Sequence, residues 1–218
     1  MLNARREKEC VGLTNERKYF HVDNTWIKRS LRPAEWQTNP FAAAIRFIAD
    51  RTDIPVPKLH GCFEDDGAVY LIMEYVEGVT MNRLAAEQRK VVEMELEHHL
   101  EILRSLKSAA WSGPSGTVIP PYRLMVSSGR PEWKMKPREL EDLVFCHNDL
   151  STHNVIVDPM TLKIKAIIDW EYAGFFPAEF EGMFVRRPGP SVALEGEAKD
   201  EKAVLDIMYE NEANDGSV

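Results

Sequence analysis

The sequence predicts an α+β fold of two lobes, the first rich in β-strands and the second mainly helical, with the active cleft between them. Three observations carry the expectation. Short β-prone runs separated by turn residues fill the N-terminal third. A long amphipathic run follows at Leu84 to Leu106. Beyond it, two polar motifs sit beside β-type apolar residues, Phe145 to Asp158 and Ile167 to Glu171. A chain of 218 residues can build two small lobes around a shared cleft. We place the lobes at 1–76 and 77–218.

In chain order, Tyr19 to Val22 and Thr25 to Arg29 flank the turn pair Asp23-Asn24 and predict a hairpin. Phe41 to Arg51 carries Ile45, Phe47 and Ile48 on one face and predicts a helix. That helix must stop before Ile54-Pro55-Val56-Pro57, because proline lacks a donor and biases its predecessor toward extended backbone. A second hairpin is expected from Leu59 to Phe63 and Ala68 to Met73, around Glu64-Asp65-Asp66-Gly67. Glu74 to Gly78 then reads as the connection between lobes. In Leu84 to Leu106, Leu96, Leu100, Leu103 and Leu106 recur at core spacing. His98 and His99 lie there too, about 100° apart on a helix, so they cannot face one ion and are expected at the surface or core edge. Ser112 to Pro137 holds five prolines and three glycines and predicts an irregular connection. Near the C-terminus, Pro188 to Gly196 reads as loop, Glu197 to Tyr209 as helix and Asn211 to Val218 as a frayed tail.

Bulk properties exclude several classes. Apolar residues at 44% and charged residues at 28% describe an ordinary globular composition. No apolar run approaches the roughly 18 residues of a membrane helix. The charged start, Met1 to Lys8, leads into no hydrophobic segment of the secretory kind. Cys10, Cys62 and Cys146 are scattered and without Cys-x-x-Cys spacing, as in the reduced thiols of a cytoplasmic protein. A net charge of −8 argues against a nucleic-acid partner. It is compatible with a cationic substrate, although acidic excess commonly serves solubility.

The chemistry lies in the two motifs. His147 sits two residues before Asp149, Asn154 five after it, and Asp169 fifteen beyond Asn154. This is the spacing of a phosphoryl-transfer catalytic loop followed by a metal-binding aspartate. A carboxylate must lie near the acceptor hydroxyl, while an amide oxygen and a second carboxylate supply the hard ligands that Mg²⁺ prefers. Asp149 is the candidate base, its role chiefly alignment because an ordinary carboxylate is weak toward an alcohol.

The double motif resembles the aminoglycoside phosphotransferase family, the small-molecule branch of the protein-kinase-like fold, over roughly residues 10 to 185. The run Ile168-Asp169-Trp170-Glu171 in place of Asp-Phe-Gly favours that branch over protein kinases, as does the lack of an identifiable Ala-Pro-Glu segment. The resemblance implies a two-lobed protein-kinase-like fold and ATP-dependent transfer of a γ-phosphate to a hydroxyl of a small molecule. It implies that His147 braces the catalytic loop and that Asn154 and Asp169 hold Mg²⁺. Lys28 matches the lysine that contacts the α- and β-phosphates, although Arg29 beside it could shift the alignment by one, which on a strand means the opposite face. Backbone groups near Glu74 and Val76 would carry the adenine. Ser151 and His153 lie within the loop and are candidate substrate contacts. Glu171 either faces the same site or is solvated or structural.

The chain departs from the family pattern in four places. Asn148 stands where the family usually has glycine. Gly12 is the only glycine before Gly61, so no Gly-x-Gly-x-x-Gly loop covers the phosphates. No acidic residue lies between Asn39 and Ala49, where a partner for Lys28 is expected, so Glu35 or Asp50 substitutes or the lysine stands unpaired. With 49 residues after Asp169, helices that usually help form the substrate pocket are expected to be reduced. These departures motivate an alternative, a catalytically degenerate nucleotide-binding or scaffold member. Joint retention of Asp149, Asn154 and Asp169 argues against it.

Overall fold

The structure is a computed structural model that describes residues 12–13, 17–31, 39–121, 123–124, 135 and 141–208. Glu35, the Asn211 to Val218 tail and much of the Ser112 to Pro137 connection lie outside the described residues.

The first lobe is an antiparallel sheet of five strands in the order β1-β2-β3-β5-β4. These are β1 (Gly12–Leu13), β2 (Arg17–Val22), β3 (Thr25–Leu31), β4 (Leu59–Asp65) and β5 (Ala68–Glu74). Both expected hairpins form, with strands longer than the sequence suggests. The β4–β5 turn narrows to Asp66-Gly67, both at positive φ (49° and 69°), the backbone that two-residue hairpins favour. Helix α1 (Pro40–Arg51) follows β3. Asn39 caps it by accepting from the Ala42 amide at 3.2 Å, and Pro40 occupies a first-turn position that needs no donor.

The second lobe contains α2 (Ala86–Ser105), β6 (Val79–Thr80), β7 (Lys107–Ser108), β8 (Leu143–Cys146), β9 (Val155–Val157), β10 (Ile164–Ile167), β11 (Gly174–Phe176) and α3 (Glu201–Met208). Its strands form two small antiparallel sheets, β10-β9-β6 and β11-β8-β7. Helix α2 begins two residues later than the apolar pattern suggests. Leu84 instead closes a 3₁₀ turn onto the Met81 carbonyl, and the Gln88 side chain accepts the Ala85 amide. Its buried face is Val92, Leu96, His99, Leu100 and Leu103, with Leu106 only half-buried. His98 is exposed. Among the described residues His99, which is buried, has no hydrogen-bond partner on either ring nitrogen, and burial pushes its pKa down. Among the described residues no helix is long and apolar enough to cross a membrane.

One hydrophobic core runs through both lobes. It joins Phe41, Ile45 and Ile48 of α1 and Leu71 of β5 to Leu96 and Leu100 of α2, Phe145, Val155 and Trp170. Phe47 stacks on Phe145 with ring centres 4.9 Å apart, and Phe175 meets both edge-on. The strand that leads into the polar motif is thus packed directly against the N-terminal helix. Where the chain crosses between lobes, Gly78 lies against β9. A Cβ there would come within 2.7 Å of the Val157 carbonyl oxygen, so only glycine fits.

Candidate active site

A cleft of about 270 Å³ opens between the N-terminal sheet and the second lobe. Its walls are apolar, from Ile45, Leu71, Met73, Ile156 and Ile168, and Trp26 and Tyr75 line it as well. Glu74 and Val76 border it on the connecting segment. That segment is held extended by two backbone bonds, the Glu74 amide to the Lys58 carbonyl at 2.8 Å and the Tyr75 amide to the Asn24 carbonyl at 3.0 Å.

The charged part of the cleft is built by β3 and the turn after β10. Register puts Lys28 on the cleft face of β3, while Arg29 points the opposite way and donates to the Tyr70 hydroxyl at 3.2 Å. Lys28 Nζ, only 3% exposed, lies 3.0 Å from Asp169 Oδ1, 3.9 Å from Glu171 Oε2 and 4.2 Å over the Phe41 ring. Lys28 is therefore not unpaired. Asp50 is exposed on α1, and the lysine takes its partners from the far end of the chain instead. Phe41 occupies the helix position nearest the ammonium, so a carboxylate on α1 gives way to a ring face and two carboxylates from the second lobe. Glu171, buried, is also gripped by the Arg17 guanidinium at 2.7 and 2.9 Å, which excludes the solvated alternative for it.

These charges shift one another. Burial works against the Lys28 ammonium, but Asp169 and Glu171 outweigh it and its pKa lies above the ordinary value. Burial likewise works against the Asp169 carboxylate, and the Lys28 charge and hydrogen bond more than offset it, leaving the carboxyl below the usual range. Its side chain is still 40% exposed, toward the cleft.

The catalytic-loop motif folds onto the same place. Asn148 and Asp169 both adopt left-handed backbone, φ 67° and 63°. Asn and Asp tolerate this region better than other side chains, which is why asparagine can stand where glycine is usual. The Asn148 amide group also donates to the Tyr172 carbonyl at 2.8 Å. The Asp149 amide donates to His147 Nδ1 at 3.2 Å, so the ring proton sits on Nε2, which donates to the Ile168 carbonyl at 2.8 Å. The Ile168 amide in turn donates to the Asn154 carbonyl at 2.9 Å. The residue before Asp169 is thus pinned by the loop on both sides. Asn154 Nδ2 donates to the Asp149 carbonyl at 2.7 Å and to its carboxylate at 3.3 Å. This leaves Asn154 Oδ1 as the oxygen available to a cation. Ser151 is buried beneath the loop and accepts the His153 amide at 3.3 Å, while His153 is exposed.

Four participants escaped the sequence reading. Glu181, half-buried, accepts the His147 and Asn148 amides, and loss of water around its carboxyl pushes the pKa up. Arg123 reaches the Phe180 carbonyl at 3.0 Å and the Asn148 carbonyl at 3.5 Å while forking Asp200. Ser191 donates to the Asp149 carboxylate. Arg17 holds Glu171. No local pattern marks any of them, since each partner lies at least 25 residues away in sequence.

The family model described as the phosphotransferase enzyme family matches residues 11–137 and 129–182. The chain belongs to the phosphotransferase enzyme family. An aminoglycoside 3'-phosphotransferase of Streptomyces fradiae is 29% identical over 144 residues, 55% of this chain and 53% of the relative. The chain thus spans about half the length of that curated relative. Among solved structures, aminoglycoside phosphotransferase APH(4)-Ia superposes with a TM-score of 0.58 at 15% identity, covering 83% of this chain and 73% of the other. A thermostable variant of that protein, solved with AMP-PNP and hygromycin B, gives 0.56 at 16% identity, covering 79% and 68%. The phosphotransferase APH(3'')-Id of Streptomyces rimosus gives 0.56 at 18%, covering 83% and 77%. The two-lobed kinase-like α+β fold of the phosphotransferase family is therefore the fold of this chain.

Proposed function

We propose that this phosphotransferase moves the γ-phosphate of ATP to a hydroxyl of a small molecule with Mg²⁺ bound. The observation that carries the reading is the Lys28–Asp169 pair in an apolar-walled cleft, joined through Ile168 to the loop of Asp149 and Asn154. Glu74 and Val76 offer backbone groups to the adenine. Lys28 is aimed at the α- and β-phosphates, and Asp149 orients the acceptor hydroxyl and takes its proton late.

The residues present fit Mg²⁺. Asn154 Oδ1 and the cleft-facing Asp169 carboxylate are hard oxygen donors. Among the described residues no group of three or more His, Cys, Asp and Glu side chains forms a cage. An ion shared between few protein oxygens, phosphates and water needs none. Bound there, the metal supplies charge neutralisation at the transferring phosphate.

For the acceptor, the names of the related phosphotransferases and the net charge of −8 support a cationic molecule carrying hydroxyls, an amino alcohol, an aminated sugar or an aminoglycoside-like compound. The test is thermal stability with ATP alone, Mg²⁺ alone and both, followed by an acceptor panel read by ADP release. A ligand bound only to the folded state adds roughly 2.7 kcal/mol at a hundredfold excess over Kd. The pair together should give the largest shift, and Lys28→Ala should reduce it. A shift indifferent to Mg²⁺, with no acceptor phosphorylated, would favour the scaffold alternative.

A further inference from the structure

The hydroxyl that Asp149 holds in this structure comes from the chain itself. Ser191 Oγ donates to Asp149 Oδ1, and the serine is only 9% exposed. It lies at the middle of a strap, residues 187–197, that follows the last 3₁₀ turn. Arg187 shapes this strap. Its guanidinium donates to the Pro190 carbonyl at 3.2 Å and the Val192 carbonyl at 2.7 Å, bracketing Ser191 on both sides. The same guanidinium is held by Glu197 at 2.6 Å, and Glu197 also accepts the Leu194 amide at 2.8 Å. Thr152, within the catalytic loop, donates to the Arg187 carbonyl at 3.5 Å, tying strap to loop. Gly189 and Gly196, at φ 126° and 84°, supply the left-handed backbone at its two ends. Here the hydroxyl is presented to the carboxylate whose proposed task is to orient acceptors.

We propose that Ser191 is a phosphoryl acceptor in cis, a modification site of the chain's own chemistry. The inference rests on the proposed reading of the cleft, with a nucleoside triphosphate as donor. Ser191 Oγ attacks the γ-phosphorus and forms the new O–P bond. The bond from that phosphorus to the β,γ-bridging oxygen breaks, and the nucleoside diphosphate leaves with the electron pair. The hydroxyl proton passes to the Asp149 carboxylate and then to solvent. Phosphoserine carries close to two negative charges, so beside Asp149 it is repelled and the strap is driven outward.

The experiment incubates the full chain with Mg·ATP, maps phosphate by fragmentation mass spectrometry, and measures nucleotide-induced thermal stabilisation on the same samples. The expected result is one phosphoryl group at Ser191, gained with a rate constant unchanged on tenfold dilution of the protein. Ser191→Ala should lose it and Ser191→Thr should keep it. Asp149→Asn should slow it at least about a hundredfold while keeping the thermal shift. A thermal shift without phosphate on Ser191 overturns this inference and leaves the nucleotide reading standing. So does phosphate elsewhere that survives Ser191→Ala, or a rate that scales with protein concentration. No shift under any condition overturns the nucleotide reading and this inference with it.

Discussion

Lys28 Nζ and Asp169 Oδ1 lie 3.0 Å apart, a contact that spans 141 residues of sequence and fastens the N-terminal sheet to the second lobe. Lys28, only 3% exposed, draws its nearest charge compensation from Asp169, whose carboxylate stays 40% exposed toward the cleft. In the proposed reaction, phosphates and a divalent cation would present the same two charge types, so donor binding would exchange partners for both side chains.

That pair should be visible in acid. The folded Asp169 carboxyl lies below its ordinary value, so its contribution is complete above the unfolded pKa of about 3.9 and is withdrawn as pH falls through the lower folded one. We expect melting temperatures of the wild type and Asp169→Asn to converge below about pH 4, with the wild type higher above it. A difference constant down to the acid limit would mean that Asp169 titrates as it does in the unfolded chain. Calorimetric titration of the same variant should show Mg·ATP affinity falling more than metal-free ATP affinity.

Arg17→Met removes a guanidinium that is 28% exposed and leaves Glu171, which is 6% exposed, to the Lys28 ammonium 3.9 Å away. Losing the nearer partner of this buried carboxylate should cost less than the roughly 3 kcal/mol of a fully uncompensated buried charge, read as a fall in the denaturant midpoint at unchanged slope. Adding Glu171→Leu to Arg17→Met should recover part of that loss, since the burial penalty then disappears. A double variant weaker than the single one would contradict this account.

Asn148 should be replaceable by glycine at lower cost than by alanine. Both lose the bond to the Tyr172 carbonyl, but only alanine also meets the left-handed backbone penalty of roughly 1–2 kcal/mol. Equal unfolding free energies for Asn148→Gly and Asn148→Ala would show that the loop relaxes.

Asp149→Ala should lower turnover on a verified small-molecule acceptor at least about a hundredfold with little change in ATP affinity. Near-normal turnover would remove Asp149 from the chemistry.

The sequence made local pieces readable and left distant ones dark. Both N-terminal hairpins and α1 announce themselves through turn pairs, proline and spacing, because their determinants are neighbours. Asp149, Asn154 and Asp169 could be picked out together as candidates because the segment that joins them is short, and the Asn154–Asp149 contact and the bonds through Ile168 connect them in space. Lys28 could be placed on its strand but its partners could not. The expected carboxylate on α1 is replaced by Phe41, and the actual ones, Asp169 and Glu171, reach the lysine only through the packing of two lobes. His98 and His99, about 100° apart on α2, part as their separation implies, His98 to the surface and His99 into the buried face, and only the packing shows how deep His99 sits. Ser191 lies 42 residues from Asp149 in a segment whose composition says only loop.

The Phe47–Phe145 stack has a bearing on tempo. Phe145 stands two residues before His147, so the helix of the first lobe and the loop of the second share one solid wall. Large rocking of the lobes would have to part that wall, so we expect any slow motion at the site to fall on the Arg187-bound strap. Relaxation-dispersion measurements should then find millisecond exchange at residues 188–196 and little across Phe47 and Phe145. In the proposed reaction, the tempo of turnover would then follow how often this short strap lifts while the lobes stay closed against each other.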